Sequence, residues 1–248
     1  MSNLFEVVLI ETQSTCNRRC WFCKFGQPQS RAETKRLSDA LIAKIADNLA
    51  YLNFAGRISP FGINEPLLDS RIVSIVRKFR QACPRAYISL ISNGDALNQD
   101  LLWALLDAGM DAIAISIYDP KARDRLRDAI APELLGAIAF IDMEVPRYLE
   151  NRAGSIPGFS PVEAPCQRPS NMLVIKASGD IVICCADMYG DIVLGNIEQA
   201  SLEEIWFSDR FRSIRKKLNQ SRVGLELCEK CSHDGSSSSV FYPHALRS

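Results

Sequence analysis

Apolar and polar positions follow two different periods along the first 150 residues. Short runs rich in β-branched and aromatic residues predict five strands. They lie at residues 5–11, 56–59, 86–91, 111–117 and 137–143. Between these runs, apolar side chains recur at helical spacing, as in Leu41, Ile45, Leu49 and Leu52 after the predicted N-cap Ser38. Further helices are predicted after an Asp69 cap, at 99–106 and at 121–128.

Strands that alternate with helices predict βαβ units and a parallel sheet, which places the chain in the α/β class. Ligands of parallel α/β proteins bind at the carboxyl ends of the strands. Polar or cysteine-containing segments follow several predicted strands at 16–23, 64–66, 92–94 and 116–118. We therefore expect a binding site where these strand ends meet.

The pattern changes after residue 150. A segment rich in Gly, Pro and Ser at 151–158 is typical of a linker or binding loop. Two apolar runs at 171–176 and 180–184 predict a hairpin that turns at Ser178-Gly179. Ser201 and Glu204 form a capping box that begins one helix, with its apolar face running to Leu218. The predicted domains are residues 1–150 and 151–248.

Composition adds limits to this picture. The chain has 248 residues, 47% of them hydrophobic and 23% charged, as in ordinary globular proteins. Its formal net charge is zero, which disfavours a nucleic-acid substrate. We see neither a signal peptide nor an apolar run of the ~20 residues that a membrane span needs. Nine cysteines without an export signal predict metal or redox chemistry in a reducing cytoplasm.

Three cysteines stand together directly after the first predicted strand. Cys16, Cys20 and Cys23 have the spacing C-x3-C-x2-C. Three thiolates on one loop can hold three irons of a four-iron cluster and leave the fourth iron open. An open metal position is typical of a catalytic site. The alternatives are three buried cysteines or a partial zinc site, although zinc usually takes four ligands.

A second set of cysteines follows in the last third of the chain. Its members are Cys166, one of the adjacent pair Cys184 and Cys185, Cys228 and Cys231. Four thiolates can complete a second four-iron cluster. A structural zinc site with four cysteine ligands is the alternative.

The spacing of Cys16, Cys20 and Cys23, with the aromatic Phe22 before the last cysteine, resembles the motif of radical S-adenosylmethionine (SAM) enzymes. The resemblance implies an open, partial (β/α)5–6 TIM-like barrel. It also implies that SAM binds the open iron and is cleaved to a 5′-deoxyadenosyl radical.

The same resemblance suggests roles for residues around SAM. Glu65 matches the acidic member of the turn that binds the methionine ammonium, whereas Asn64 departs from the usual glycine. Phe22 is expected to lie along the adenine ring of SAM. Asn93 and Ser116 are candidates for the methionine carboxylate or the ribose, or else polar residues that close turns at strand ends.

The second cysteine set resembles the SPASM/twitch extension of radical SAM enzymes. The matching positions are residues 179–184, 194–197, Ile205-Trp206 and the closing Cys228 to Cys231. With room for one auxiliary [4Fe-4S] cluster, it is similar to the shorter twitch form, a β-hairpin plus a helix.

Within this family the chain resembles the dehydrogenases of aminoglycoside antibiotic biosynthesis. That implies Cys184 as the cluster ligand, Cys185 as an extra cysteine, and Arg152 near the substrate hydroxyl, where it helps to remove the proton. A salt-bridged loop arginine is the alternative for Arg152. Departures at Ile63-Asn64, Ser92 and Cys185 fall at strand ends that face substrate and leave its identity open.

The implied function is oxidation of a carbinol carbon of a small aminocyclitol or aminosugar to a ketone. The second electron that the substrate loses passes to the auxiliary cluster. A flavodoxin- or ferredoxin-type protein supplies the electron that reduces the SAM-binding cluster. One alternative is an epimerase in which Cys185 returns a hydrogen atom. A peptide-modifying maturase is less favoured, because the fifteen or so residues before Cys16 hold no leader-binding domain.

Five remaining residues are predicted to have no part in the chemistry. Arg18 and Arg19 are expected on a solvated loop, and His233 and His244 in an exposed polar tail. Cys83 is expected in the core.

Overall fold

The computed structural model describes residues 4–28, 33–143 and 149–236. Its eight strands are β1 (Val7–Ile10), β2 (Arg57–Ser59), β3 (Tyr87–Ser92), β4 (Ala112–Ile117), β5 (Ile138–Asp142), β6 (Met172–Ile175), β7 (Asp180–Val182) and β8 (Val193–Asn196). The α-helices are α1 (Asp39–Tyr51), α2 (Ile72–Ala82), α3 (Gln99–Asp107), α4 (Pro120–Ala129), α5 (Arg168–Asn171), α6 (Leu202–Trp206), α7 (Asp209–Leu218) and α8 (Glu226–Glu229). Among these residues, no helix is long and apolar enough to cross a membrane. His244 lies outside the described residues.

All eight strands form one open sheet, in the order β5-β4-β3-β2-β1-β6-β7-β8. Neighbouring strands from β5 through β1 to β6 are parallel, and β7 and β8 add antiparallel strands at one edge. The predicted open α/β architecture is therefore confirmed, including the hairpin of the second segment.

The first strand of that hairpin joins the first sheet directly. β6 pairs in parallel with β1, so that Leu9 lies beside Val174 and Ile10 beside Ile175. Since the two strands end together, the residues that follow them, Glu11 and Lys176, come to the same place. A domain boundary at residue 150 stays a prediction.

Capping residues mark the helix starts much as the sequence predicts. Ser38 Oγ accepts a hydrogen bond from the Leu41 amide (3.2 Å) at the start of α1. The Ser201 capping box is present at the start of α6. Each cap satisfies an amide that the first helical turn leaves without an intrahelical partner.

Two helix predictions were wrong. Asp69 does not cap α2, because its buried carboxylate binds the backbone and guanidinium of Arg71, after which the helix begins. The single helix expected after Ser201 is two helices, α6 and α7, with Ser208 capping the second. The break lets the Trp206 and Phe211 rings meet edge to face at 5.0 Å.

Alternation along the central strands divides their side chains between two apolar clusters. Val8 and Ile10 belong to the large core under the helices, which also contains Cys83, as predicted. Leu9, Val174 and Val182 form a small cluster on the opposite face. That second face is the floor of a large cavity.

Candidate functional site

A cavity of about 740 Å³ opens at the carboxyl ends of the parallel strands. Its lining includes these predicted site residues: Cys16, Cys20, Phe22, Cys23, Glu65, Asn93, Ser116, Arg152 and Cys185. The fold thus brings together residues that are up to 169 positions apart, as the strand-end argument predicts. The lining is rich in carboxylates and guanidiniums, which suits a polar ligand.

The cysteine loop after β1 presents its three thiols to this cavity. Cys23 N–H donates to the Cys20 carbonyl (3.0 Å), and Gly26 N–H donates to the Cys23 carbonyl (2.9 Å). Burial raises the pKa of Cys16 and Cys20, and neighbouring thiolates raise both further. A cation that binds all three sulfurs would relieve this repulsion. The donor set therefore fits a cluster held by three protein ligands, with one iron left for SAM.

The remaining predicted ligands form the C-terminal cysteine group, Cys166, Cys184, Cys228 and Cys231. Burial, then the charges of Cys166 and Cys231, raises the pKa of Cys228 to about 12. Burial also raises the pKa of Cys184, which interacts with Cys185, Cys231 and Cys228. Each of the four thiols is therefore within electrostatic reach of at least one other.

The adjacent cysteines Cys184 and Cys185 point to opposite sides. Cys184 packs against the large core, together with Cys166 and Cys228. Cys185 packs against the small cluster and lines the cavity. This arrangement favours Cys184 as a cluster ligand and leaves the Cys185 thiol beside the candidate substrate.

Ligand spacing also bears on the zinc alternative. A zinc ion needs its sulfur ligands at about 2.3 Å. In the part of the chain that the structure describes, no three His, Cys, Asp or Glu side chains converge closely enough to hold one ion. A four-iron cluster is larger than one zinc ion, so its thiolates stand further apart than zinc ligands do.

Glu65 joins the turn after β2 to the end of β3. Its Oε1 accepts from Leu67 N–H (3.0 Å) and Ser92 Oγ (2.8 Å), and its Oε2 accepts from Asn93 N–H (2.8 Å). Burial raises the pKa of this carboxyl group. An ionised carboxylate has about four acceptor positions. Oε2 therefore keeps a position that an ammonium group of SAM could fill.

Asn93 and Ser116 are engaged locally as well as lining the cavity. The Asn93 amide donates to Asn17 of the cysteine loop (2.8 Å) and accepts from Asp95 N–H (2.9 Å). Ser116 bonds to Tyr118, whose ring stacks against Phe22 at 6.1 Å. Both polar residues close strand ends, and their contacts with SAM stay predictions.

The prediction that Arg18 lies on a solvated loop was wrong, because other side chains hold it in place. Its guanidinium binds the Asp95 carboxylate in a fork, with Nε at 2.7 Å, and lies 4.6 Å over the Tyr118 ring. The Arg18 charge holds the pKa of Asp95 below its usual range. This pair ties the cysteine loop to the end of β3.

Arg152 also lines the cavity, and its backbone conformation is unusual. Its φ is 46°, in the left-handed region that few residues other than glycine adopt, and such residues cluster at functional sites. Its Nη1 lies 3.1 Å from Glu150, which Arg168 also contacts at 3.2 Å. His233 lines the same cavity and is largely buried, so the prediction that it is exposed was wrong.

A buried trio of charges at the ends of β1 and β6 was not predicted. Glu11 Oε1 accepts from Lys24 Nζ (3.0 Å), and Lys176 Nζ lies 2.7 Å from Oε2 at an angle that makes no hydrogen bond. Burial lowers the pKa of Lys24 against the opposing effect of Glu11. The available signal was a charged residue directly after each apolar strand, but the parallel β1–β6 pairing had to be known.

Replacing Glu11 by Gln is expected to lower the free energy of unfolding by about 3–5 kcal/mol, because two buried ammonium groups lose their counter-charge. Urea denaturation of the anaerobically purified protein measures the loss. Lys176→Met is the matched control, since it leaves a balanced Lys24–Glu11 pair and should cost much less. Equal losses in the two variants would contradict this account.

Known protein families match both the part of the chain that contains the cysteine loop and the part that contains the C-terminal cysteine group. The family model of the radical SAM superfamily matches residues 10–134, and that of an iron–sulfur cluster-binding domain, SPASM, matches residues 166–232. A SAM-dependent 2-deoxy-scyllo-inosamine dehydrogenase of Niallia circulans is 31% identical over 99% of this chain and all of its own length.

Solved structures agree with these matches. The crystal structure of BtrN in complex with AdoMet and 2-DOIA has a TM-score of 0.86 at 31% identity and covers 94% of this chain and 95% of its own. Native anSMEcpe with bound AdoMet shares the fold at 12% identity, with a TM-score of 0.61 over 97% and 92% of the two chains. SAM and iron–sulfur clusters, one of them auxiliary, are therefore the cofactors. The chain belongs to the radical SAM superfamily, among the SAM-dependent dehydrogenases that carry an auxiliary iron–sulfur domain.

Proposed function

We propose that this enzyme oxidises one secondary alcohol of a small aminocyclitol or aminosugar to a ketone, as a step in antibiotic-type natural-product biosynthesis. One observation carries the proposal: a single polar cavity reaches from the three thiols of the cysteine loop to Cys185 and Arg152. The similarity to a 2-deoxy-scyllo-inosamine dehydrogenase over the full chain supports this substrate class.

The chain's own residues bind and orient in this reaction. Cys16, Cys20 and Cys23 hold the SAM-binding cluster, and Glu65 binds the methionine ammonium. When bound, the cofactors supply a radical that takes a hydrogen atom from carbon and an acceptor for the electron left behind. Arg152 holds the substrate hydroxyl.

The C-terminal cysteine group holds the auxiliary cluster in this proposal. Phe22 covers the adenine, and Asn93 and Ser116 contact the rest of SAM. These side chains already line the cavity.

Three further assignments complete the proposal. Residues 1–150 form the SAM-binding domain and 151–248 the auxiliary-cluster domain. A flavodoxin- or ferredoxin-type protein supplies the electron that starts each turnover. The enzyme works in a reducing cytoplasm, where cysteine thiolates stay available as cluster ligands.

Turnover in heavy water tests the outcome of the reaction. Reduced enzyme with SAM and 2-deoxy-scyllo-inosamine, or a related aminocyclitol, is expected to yield a ketone and 5′-deoxyadenosine in equal amounts. Mass spectrometry should find no inverted alcohol that carries solvent deuterium at the reacting carbon. Absence of ketone from every aminocyclitol offered would sink the proposal.

Epimerisation is the second candidate, favoured by the position of Cys185 in the cavity. In that case Cys185 returns a hydrogen atom to the radical from the opposite face. The product is then an inverted alcohol that carries one solvent deuterium, and Cys185→Ala abolishes it. The same assay therefore separates the two outcomes.

A further inference from the structure

We propose that Glu150 is the general base that takes the hydroxyl proton of the substrate radical, and that Arg152 orients the hydroxyl toward it. This inference deepens the proposed function and rests on it. Oxidation of the substrate radical to a ketone requires a proton acceptor. Conversion of a carbinol radical to a ketone releases one proton as well as one electron, so an acceptor must stand near the reacting oxygen.

Arg152 cannot be that acceptor. A guanidinium carries five N–H donors and no acceptor, and it stays protonated in proteins. Its Nη1 donates to Glu150 Oε1 at 3.1 Å. The fork has further N–H groups with which to hold a substrate oxygen beside the same carboxylate.

Other carboxylates that line the cavity are committed elsewhere. Glu11 lies between two ammonium groups. Glu65 accepts three hydrogen bonds from protein groups, and its remaining position is assigned to the methionine ammonium of SAM. Asp187 accepts three from the backbone N–H groups of residues 190–192. The Asp234 side chain is 73% exposed, and Glu6 is exposed at the rim.

Glu150 differs from these groups in position, because it lines the cavity beside Arg152 and has no other role in the proposed site. Its side chain is 11% exposed and lines the cavity. Its oxygens contact Arg152 at 3.1 Å and Arg168 at 3.2–3.4 Å. An ionised carboxylate offers about four acceptor positions, so one remains for a substrate hydroxyl.

The surroundings keep Glu150 ready to accept a proton. Burial alone raises its pKa, but Arg152, Arg168 and His233 outweigh burial and hold the pKa below its ordinary value. The carboxylate is therefore ionised at neutral pH. Removing an electron from a carbinol radical makes its O–H a far stronger acid than an alcohol, so even a weakly basic carboxylate can take the proton.

Arg168 links the base to the C-terminal cysteine group. It bonds Glu150, follows Cys166 by two residues, and its charge interacts with Cys184, Cys185 and Cys231. The proton acceptor and the auxiliary-cluster ligands thus share one buried cation. Proton and electron leave the substrate toward the same side of the cavity.

The step balances. The 5′-deoxyadenosyl radical takes the hydrogen atom from the carbinol carbon and becomes 5′-deoxyadenosine. The O–H bond of the resulting radical breaks, and its proton goes to Glu150. One electron passes to the auxiliary cluster, and the C–O bond becomes C=O. The substrate loses two hydrogens in total, as a ketone requires.

Glu150→Gln is the direct test, because it keeps the size and one acceptor oxygen but removes the base. With an aminocyclitol that wild-type enzyme oxidises, we expect ketone formation to fall by roughly 10²–10⁴-fold, the usual contribution of a general base. Formation of 5′-deoxyadenosine should persist, so that its ratio to ketone rises well above parity. Deuterium placed on the carbinol carbon should still move to 5′-deoxyadenosine.

Glu6→Gln is the matched control, since it changes an exposed carboxylate at the rim of the cavity and should keep both products at parity. Iron content and SAM binding verify that each variant is intact. Should Glu150→Gln fail to hold its clusters, Glu150→Asp decides, because it keeps a base on a shorter side chain. That variant is then expected to hold its clusters and to retain part of the ketone rate.

Each other outcome overturns the assignment. A wild-type ketone rate in Glu150→Gln, or no ketone from an intact Glu150→Asp, excludes Glu150 as the base. Parallel loss of ketone and 5′-deoxyadenosine means that Glu150 serves substrate binding instead. If wild-type enzyme makes no ketone at all, the proposed function fails first and the role of Glu150 fails with it.

Discussion

Replacing Cys20 by alanine is expected to abolish formation of 5′-deoxyadenosine and of any substrate product. Cys16, Cys20 and Cys23 line one end of the cavity, and a cluster with three protein ligands cannot spare one of them. Iron analysis of the anaerobic protein should fall from about eight to about four irons per chain, because a four-cysteine auxiliary cluster is left in place.

Cys83→Ala is the matched cysteine control. Cys83 is 3% exposed, packs in the large core and is not among the predicted cluster ligands. Its loss should leave the iron content and 5′-deoxyadenosine formation unchanged and cost only some stability through a small core cavity. Continued SAM cleavage by Cys20→Ala would contradict the assignment of the cysteine loop.

Local spacing explains why so much of the site could be predicted from the sequence. The cysteine loop, the turn at Glu65 and the end of β3 at Asn93 each follow an apolar run directly. Parallel strands bring such ends to one edge of a sheet. The chemistry of each group is likewise carried by a few neighbouring residues, so the prediction needed no knowledge of distant contacts.

Charged side chains were harder to predict, because their partners are distant in sequence. Arg18 was expected in solvent, but its partner Asp95 comes from the end of another strand. The sequence does not predict a role for Glu150, because this residue does not directly follow a predicted strand. Its contact with Arg168 and its place in the cavity are visible only in the fold. Such pairs depend on how loops cross above the sheet, which apolar periodicity does not report.

The two halves of the chain are also more closely joined than their sequence patterns suggest. The composition changes near residue 150, yet β6 completes the parallel sheet beside β1. One consequence is functional, because the β7 hairpin strand carries Cys184 and Cys185 onward from that shared sheet. Cys184, a proposed auxiliary-cluster ligand, is thus held relative to the cysteine loop by backbone hydrogen bonds of the sheet.

Cys184→Ala and Cys185→Ala are expected to give opposite results. Cys184 packs on the core side with Cys166 and Cys228, so its loss should remove the auxiliary cluster and leave about four irons. SAM cleavage should continue, but ketone formation should collapse, since the substrate radical has no acceptor for its electron. Product analysis should therefore show 5′-deoxyadenosine without a matching amount of ketone.

Cys185→Ala should keep about eight irons, because the Cys185 thiol points into the cavity rather than toward the other ligands. For a dehydrogenase, ketone formation should then stay near the wild-type rate, with a change in substrate affinity at most. Loss of iron in Cys185→Ala but not in Cys184→Ala would exchange the two assignments. If wild-type enzyme makes a deuterium-labelled inverted alcohol and Cys185→Ala loses it while retaining its iron, Cys185 is the hydrogen donor. The two variants of this adjacent pair therefore distinguish oxidation from epimerisation.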